Sequence, residues 1–239
     1  MPGSCTGYNH GYMKILRTEF HCHSIYSKDS LLKPRALVDA ARRKGIDRLI
    51  VTDHNSTGGA LEAQRLAPDL VIVGEEIMTT RGELLAAFVK EELPAGLEPL
   101  DAIRILRAQD AFISVSHPFD LFRSGHWELP DLLEIAPLVD AIETFNSRCM
   151  DMGPNLAARE FAQAHDLPGT AGSDAHTAHE VGRATLLLAE FSDAESLRRV
   201  MRGAQESVRL SSPVVHVSSR YASIIKKLGL MSSPRLAEK

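Results

Sequence analysis

Lys14-Ile15-Leu16-Arg17-Thr18-Glu19-Phe20-His21-Cys22-His23 reads as a β-strand that runs out into two histidines. In extended chain, residues two apart point to the same side. Both imidazoles therefore reach one point while Cys22 faces away, and Asp29 follows six residues after His23. Two convergent imidazoles and a carboxylate are what a divalent metal ion asks for. A single His-x-His reads equally well as two surface histidines beside a loop. What decides is whether the rest of the chain repeats the arrangement.

It does. Outward from this strand, strand-like and helix-like segments alternate. Residues 34–44 predict a helix: Pro34 suits its first turn, Leu37, Val38 and Ala41 form an apolar stripe, and Gly45 supplies the stop. The run 48–52 predicts a buried strand ending at Asp53-His54, and Thr57 is placed to cap a short helix over 58–66. Residues 70–73 predict a third strand, ending in Gly74-Glu75-Glu76. Thr79-Thr80-Arg81-Gly82 reads as a tight turn before another strand at 84–89. A connection that short cannot be a parallel crossover, so these strands should form a hairpin that brings Glu83 near Glu76. A helix from Pro99 precedes a strand at 111–115, which ends in Ser116-His117-Pro118. Beyond it come a helical turn at 131–135 and a strand at 141–145 that contains Glu143 and ends at Asn146. A helix from Pro154 leads to a short strand at 168–171 and then Gly172-Ser173-Asp174-Ala175-His176. A last strand at 185–188 and a helix over 194–202, capped by Asp193 and ended by Gly203, complete the pattern.

Alternating βα units imply a parallel sheet with right-handed crossovers. Neither G-x-G-x-x-G nor G-x-x-x-x-G-K-[ST] occurs, so nucleotide-cofactor folds lose their main support. About seven units without such a fingerprint favour a closed or nearly closed α/β barrel, whose function sits at the C-terminal ends of the strands. Five of the ten histidines (His21, His23, His54, His117, His176) fall immediately after predicted strands, joined there by Glu76, Glu83 and Asp174. Any one of them alone is better read as a buried or surface histidine. Together at one barrel mouth they are a metal site. A catalytic zinc takes about three protein ligands, and the candidates are too many for one ion, so two or three divalent cations are expected. Asp174 or Asp29 can bridge them, and mixed N/O ligands without thiolate suit Zn, Mn or Fe alike.

Composition narrows the class. At 239 residues the chain fits one large domain, and 44% apolar and 24% charged residues are ordinary for a globular protein. A net charge of −4 gives no footprint for nucleic acid or an anionic membrane, and no apolar run is long enough to span a bilayer. Cys5, Cys22 and Cys149 are scattered, which argues for reduced thiols and a cytoplasmic setting, and the Gly/polar stretch over 1–12 has no apolar h-region, so a signal peptide is not expected. The expected layout is a loosely ordered tail over 1–13, a barrel over 14–212 and an extension over 213–239. In the extension, Tyr221, Ile224, Ile225 and Leu228 form an apolar stripe expected to pack on the barrel.

His21-Cys22-His23 with Asp29, Thr52-Asp53-His54, Gly74-Glu75-Glu76, Ser116-His117-Pro118 and Ser173-Asp174-Ala175-His176 resemble, in order, the motifs of the PHP (polymerase and histidinol phosphatase) family. The resemblance implies a distorted (β/α)7 TIM-like barrel, commonly with three metals, that hydrolyses phosphate esters. It implies His21, His23, Asp29, His54, Glu76, His117, Asp174 and His176 as ligands, Glu76 being preferred to Glu75 by the family's Gly-x-Glu pattern. Where many members have His at the start of the hairpin's second strand, this chain has Glu83. An oxygen ligand there keeps the site intact and shifts metal preference toward Mn or Fe, or else one metal is lost. The expected reaction is attack of metal-activated water on a small phosphomonoester such as a nucleotide or sugar phosphate. Asp174, His176 and His179 are expected to take part, His179 as proton donor. Lys28, Arg123, Arg148 and Arg183 are candidate phosphate ligands. Asp53 could hold a ligand in place or cap the next helix. The alternatives are a nuclease, disfavoured by the missing basic stripe, and a non-catalytic binding module.

Overall fold

A computed structural model of the chain describes residues 14–231; the tail expected over 1–13, with Cys5, lies outside the described residues. The first strand, β1 (Ile15–Glu19), is followed by α1 (Pro34–Arg43), β2 (Arg48–Val51), α2 (Gly58–Leu66) and β3 (Val71–Met78). Pro34 opens α1, Leu37, Val38 and Ala41 are buried, and Gly45 ends the turn at φ +66°, which disfavours a side chain. Leu37 is fully enclosed, and its truncation to Ala would cost about 2–5 kcal/mol.

β3 turns directly into β4 (Glu83–Ala87), antiparallel, with Met78 opposite Glu83 and Glu76 opposite Leu85. The hairpin is therefore present. Next come α3 (Pro99–Ala108), β5 (Phe112–Val115), α4 (Leu129–Ile135), β6 (Ala141–Asn146), α5 (Gly153–Ala164) and β7 (Gly169–Gly172). The last elements are β8 (Ala184–Ala189), α6 (Ala194–Val200), β9 (Gln205–Val208) and α7 (Val215–Lys227).

The nine strands form one sheet in the order β7-β6-β5-β4-β3-β2-β1-β8-β9, curled into a nearly closed barrel. The barrel closes at the rim, where the chain leaving β7 meets the chain leaving β1. There the Asp174 N–H donates to His21 O and the His23 N–H to Ala175 O, each at 2.8 Å. Lower down, β8 rather than β7 lies beside β1, antiparallel, with Thr18 opposite Leu186.

Two apolar layers follow from strand alternation. Leu49, Val51, Val71, Val73, Ile77, Leu84 and Ile113 pack under the helices. Leu16, Phe20, Ile50, Ile72, Phe112 and Phe145 belong to a second cluster that continues into β8 and α6. By parity Glu76 shares the side of Ile72, while Glu75 shares that of Val73 and Ile77.

The structure corrects several expectations. The sheet is mixed, because the hairpin makes β4 antiparallel to both neighbours and β8 returns antiparallel on β1. β9 was not foreseen. Thr57 makes no side-chain cap, and its N–H instead donates to Glu92 Oε2 at 2.7 Å. Asp193 caps α6 as expected, in a reciprocal pair with Ser196, but α6 ends at Val200 and a short 3₁₀ turn reaches Gly203. The apolar stripe of α7 does not pack as expected. Tyr221, Ile224 and Leu228 are exposed and Ala222 alone of the helix is buried. Polar bonds hold α7 instead: Arg148 donates to Val215 O and Ser219 Oγ, and Lys226 to Ile25 O and Ser27 O. No helix among the described residues is long and apolar enough to cross a membrane.

Candidate metal centre

The rim where the sheet closes gathers every residue expected to bind metal. His21 Nε2 lies 3.0 Å from His23 Nε2, 3.3 Å from Glu76 Oε1 and 3.8 Å from Asp174 Oδ1. His23 Nε2 is 3.2 Å from Asp174 Oδ1 and 3.4 Å from Glu76 Oε2. His54 stands between Glu76 Oε2 (3.0 Å), Glu83 Oε1 (3.5 Å) and Asp29 Oδ2 (3.6 Å). His117 Nε2 faces Glu76 Oε1 at 3.1 Å and Glu83 Oε2 at 3.4 Å, and His176 Nε2 faces Asp29 Oδ1 at 3.3 Å. Glu83 thus sits among the imidazoles, brought there by the hairpin. Glu75 points the other way and accepts the Leu93 N–H.

Three overlapping groups could each hold an ion: His23, His54 and His176; His21, His23 and Glu76; His54, Glu76 and Glu83. In each, the ligating atoms lie within 4.8 Å of one another. Buried polar atoms are nearly always hydrogen-bonded. Here Asp29 Oδ1, His54 Nδ1, Glu76 Oε2, Asp174 Oδ1 and His176 Nε2 are buried without a hydrogen-bond partner. Enclosed lone pairs of both nitrogen and oxygen, aimed at common points, fit divalent cations.

Neighbouring groups fix the imidazoles. Glu143 Oε1 lies 2.9 Å from His21 Nδ1. A carboxylate can only accept, so Nδ1 bears the proton and Nε2 offers its lone pair to the centre. The Ser27 hydroxyl donates to Asp53 Oδ1 at 2.6 Å, which leaves its oxygen to accept from His23 Nδ1 at 3.0 Å. Asp53 also accepts from the Ser24 hydroxyl and N–H, so it positions a ligand through Ser27 and does not cap α2. Gly59 is obligatory beside it: a Cβ there would lie 2.0 Å from Asp53 Oδ2 and 2.1 Å from Ser24 Oγ. The sequence marks Glu143 only as a residue within a strand. Its parity with Ala141, which is buried in the same cluster as Ile72 and Phe112, is the signal that could have found it.

Charge is finely divided. Burial opposes ionisation of His21, but Glu76, Glu143 and Asp174 outweigh it and hold the imidazole well above its usual value. His54 is raised in the same way, against burial, by Glu76, Asp29 and Glu83. Burial, with His176 and His54 adding to it, pushes His23 down to about 3. Asp174, despite burial, is held well below the carboxylate range by Arg123 and His21.

A cavity of about 770 Å³ opens above the centre, with Asp29 and His176 at its base and Arg123, Phe122, Arg220 and Lys227 in its wall. Arg123 reaches Asp174 Oδ2 and bonds Asp120 Oδ2 at 3.2 Å. The other expected cations are placed differently. Arg148 borders the cavity but is buried and paired with Glu180, 2.6 Å from His176 Nδ1; that Nδ1 also faces Asp174 O at 2.8 Å, and donation to this carbonyl leaves Nε2 free for metal, while Arg148 braces α7. Lys28 is exposed and outside the cavity wall. His179 is exposed and contacts Arg183 at 3.2 Å, and Arg183 lines a separate cleft. Neither borders the cavity above the centre.

Residues 19–117 match the PHP domain and residues 153–205 the PHP-associated domain. The chain is 36% identical over 180 residues to an uncharacterized protein of Methanocaldococcus jannaschii, an alignment covering 74% of this chain and 72% of that protein. The chain belongs to the PHP family. PHP proteins are metal-dependent phosphoesterases and related hydrolases. In fold this PHP chain is similar to a two-domain protein of Bacteroides vulgatus containing a predicted PHP-like metal-dependent phosphoesterase, with TM-score 0.67 and 20% identity over 87% of this chain and 70% of that one. It is also similar to a lesion-specific endonuclease of Pyrococcus furiosus, with TM-score 0.56 and 16% identity over 84% and 60%.

Proposed function

We propose that this PHP protein hydrolyses a small phosphomonoester, a nucleotide or a sugar or amino-alcohol phosphate, at two or three divalent cations. His21, His23, Asp29, His54, Glu76, Glu83, His117, Asp174 and His176 would hold the ions. Bound there, the cations would bring the pKa of a water toward neutrality, polarise a phosphoryl oxygen and stabilise the leaving oxygen. Glu143 and Ser27 keep the His21 and His23 lone pairs turned inward. Arg123, anchored by Asp120 and Asp174 at the cavity wall, offers its remaining N–H groups to a substrate phosphate. Glu83, an oxygen donor, biases the site toward Mn or Fe over Zn.

The observation that supports this reading best is the set of enclosed, unpaired nitrogen and oxygen atoms facing one another beneath a cation-walled cavity. Purified protein should turn over p-nitrophenyl phosphate with Mn²⁺ or Zn²⁺ and lose that activity with EDTA. A phosphometabolite panel, with elemental analysis of bound metal, would identify the substrate. His21→Ala and Asp174→Ala should abolish turnover in folded protein; wild-type rates in either would remove those residues from the reaction.

A second reading, removal of nucleotides from an oligonucleotide end, is favoured by Arg220, Lys227 and the 86% exposed Phe122 along the cavity wall. Faster hydrolysis of single-stranded oligonucleotides than of mononucleotides would select it.

A further inference from the structure

Away from the metal centre, a cleft of about 320 Å³ is lined by Arg17, Gly182, Arg183, Ser207, Val208 and Arg209. None of these residues borders the cavity above the centre. Lys44 adjoins the cleft, with its ammonium bonded to the carbonyls of Ala178, His179 and Val181. Arg17 donates to Thr185 Oγ1, Lys44 O and Gly182 O. Arg183 donates to Leu210 O and contacts His179 Nε2, and its Nε is buried with no partner. Arg209 makes no side-chain bond among the described residues.

Four cations therefore crowd together in a chain whose net charge is −4. No carboxylate pairs with any of them among the described residues. Asp47 accepts the Arg17 backbone N–H, and buried Glu19 accepts the Gly182 N–H. Burial first, then the fields of Arg183 and Arg209, push the Lys44 ammonium below its usual value, with the field of buried Glu19 opposing them. Repulsion offset by a single buried carboxylate leaves room for a further counter-charge.

We propose that this cleft binds a phosphate group, as inorganic phosphate or a small phosphomonoester, at a site separate from the metal centre. Guanidinium forks match the oxygens of a tetrahedral dianion, and two negative charges balance the cluster better than one carboxylate would. Arg183, expected to serve the reaction, serves here. The inference stands whether or not the metal centre is hydrolytic.

The test is thermal unfolding of the full chain with its metals bound, in inorganic phosphate and in chloride at equal ionic strength. At phosphate ten times its Kd, the folded population gains eleven-fold, which raises Tm by roughly 3–6 °C for a domain of this size. Arg209→Gln, at a side chain with no hydrogen bond or ion pair among the described residues, should unfold normally in chloride and lose more than half of the phosphate shift. Arg123→Gln, beside the metal centre, should lose only the smaller part that phosphate bound there contributes. The proposal fails if Arg209→Gln keeps more than half of the shift, if Arg123→Gln loses more than half of it, or if chloride stabilises equally. Stronger protection by a single-stranded oligonucleotide than by phosphate would also overturn it, because the occupant would then be a nucleic-acid backbone.

Discussion

Glu143→Gln tests whether the centre is built by groups that never touch metal. The buried carboxylate accepts from His21 Nδ1 at 2.9 Å, the His117 N–H at 2.9 Å and Asn146 Nδ2 at 3.1 Å. Glutamine keeps the volume but has only one acceptor oxygen. Its NH₂ must then face either the His21 Nδ1–H or the His117 and Asn146 donors, and neither arrangement satisfies all three. A buried donor without an acceptor costs about 1–3 kcal/mol, and about 1.4 kcal/mol is a factor of ten in an equilibrium constant. If that cost falls on the His21 tautomer, metal affinity should drop about 10–100-fold, the usual range for such partners. Competition against a chelating dye would measure it, with turnover recorded at limiting and at saturating metal. Turnover should fall most at limiting metal. An affinity within two-fold of wild type, even with a lower Tm, would mean that Glu143 only fills the barrel, and the positioning argument would be wrong.

Three further outcomes are expected. Because carboxylates hold His21 and His54 above their ordinary values, metal binding must displace protons, and apparent affinity should rise with pH. Calorimetry in buffers of different ionisation enthalpy that found no net proton release would contradict this. Burial pushes the Glu75 carboxyl up to about 8. The folded state then holds a proton that the unfolded chain gives up near 4.5, so this group's contribution to stability falls as pH rises through that window. Glu75→Gln should remove a loss on the order of a few kcal/mol between pH 5 and 8, read by urea unfolding, and parallel curves for both proteins would refute the assignment. Gly59→Ala drives a methyl into Asp53 and Ser24. It should cost roughly 1–3 kcal/mol and weaken metal binding through Ser27, and unchanged Tm and affinity would show that the contact is soft.

The sequence exposed the centre because a ligand at a strand end needs only local pattern to be placed. His54 follows a run of buried apolar residues, and Glu83 follows a turn too short to cross over. Orientation and pairing were harder to read. Ala184–Ala189 is apolar at most positions, so it reads as a strand, but nothing in it says that it returns antiparallel on β1. Gln205–Val208 is a mostly exposed edge without apolar alternation and gives no signal. In α7 the stripe is real, yet polar anchors from Arg148 and Lys226 decide which side meets the barrel. The cations failed for a related reason. Arg148 and Arg183 stand close in sequence to strand ends, and only the fold reveals that one is buried against Glu180 and the other turned into a separate cleft.

The way the sheet closes explains why the ligands can be held so tightly. His21 and His23 come from the start of the chain, Asp174 and His176 from near its end, and separate elements would drift by more than a coordination bond tolerates. The His21–Asp174 and His23–Ala175 backbone bonds tie those two segments together at the ligand positions themselves. Lower down the barrel the two strands part, and β8 takes the place beside β1. The hairpin acts the same way on the opposite wall. β4 is bonded to β3 on one side and β5 on the other, so Glu76 and Glu83 share one ladder, and the Ser116 N–H, which donates to Glu83 O, sets His117 just past the end of the next. Register is a strong constraint here, since slipping a strand by one residue turns every side chain over. Glu83→Gln leaves that register and the helical layer in place and removes only the carboxylate's charge. It should weaken metal binding far more than it lowers Tm; equal losses of both would mean that the hairpin is scaffold and not a ligand arm.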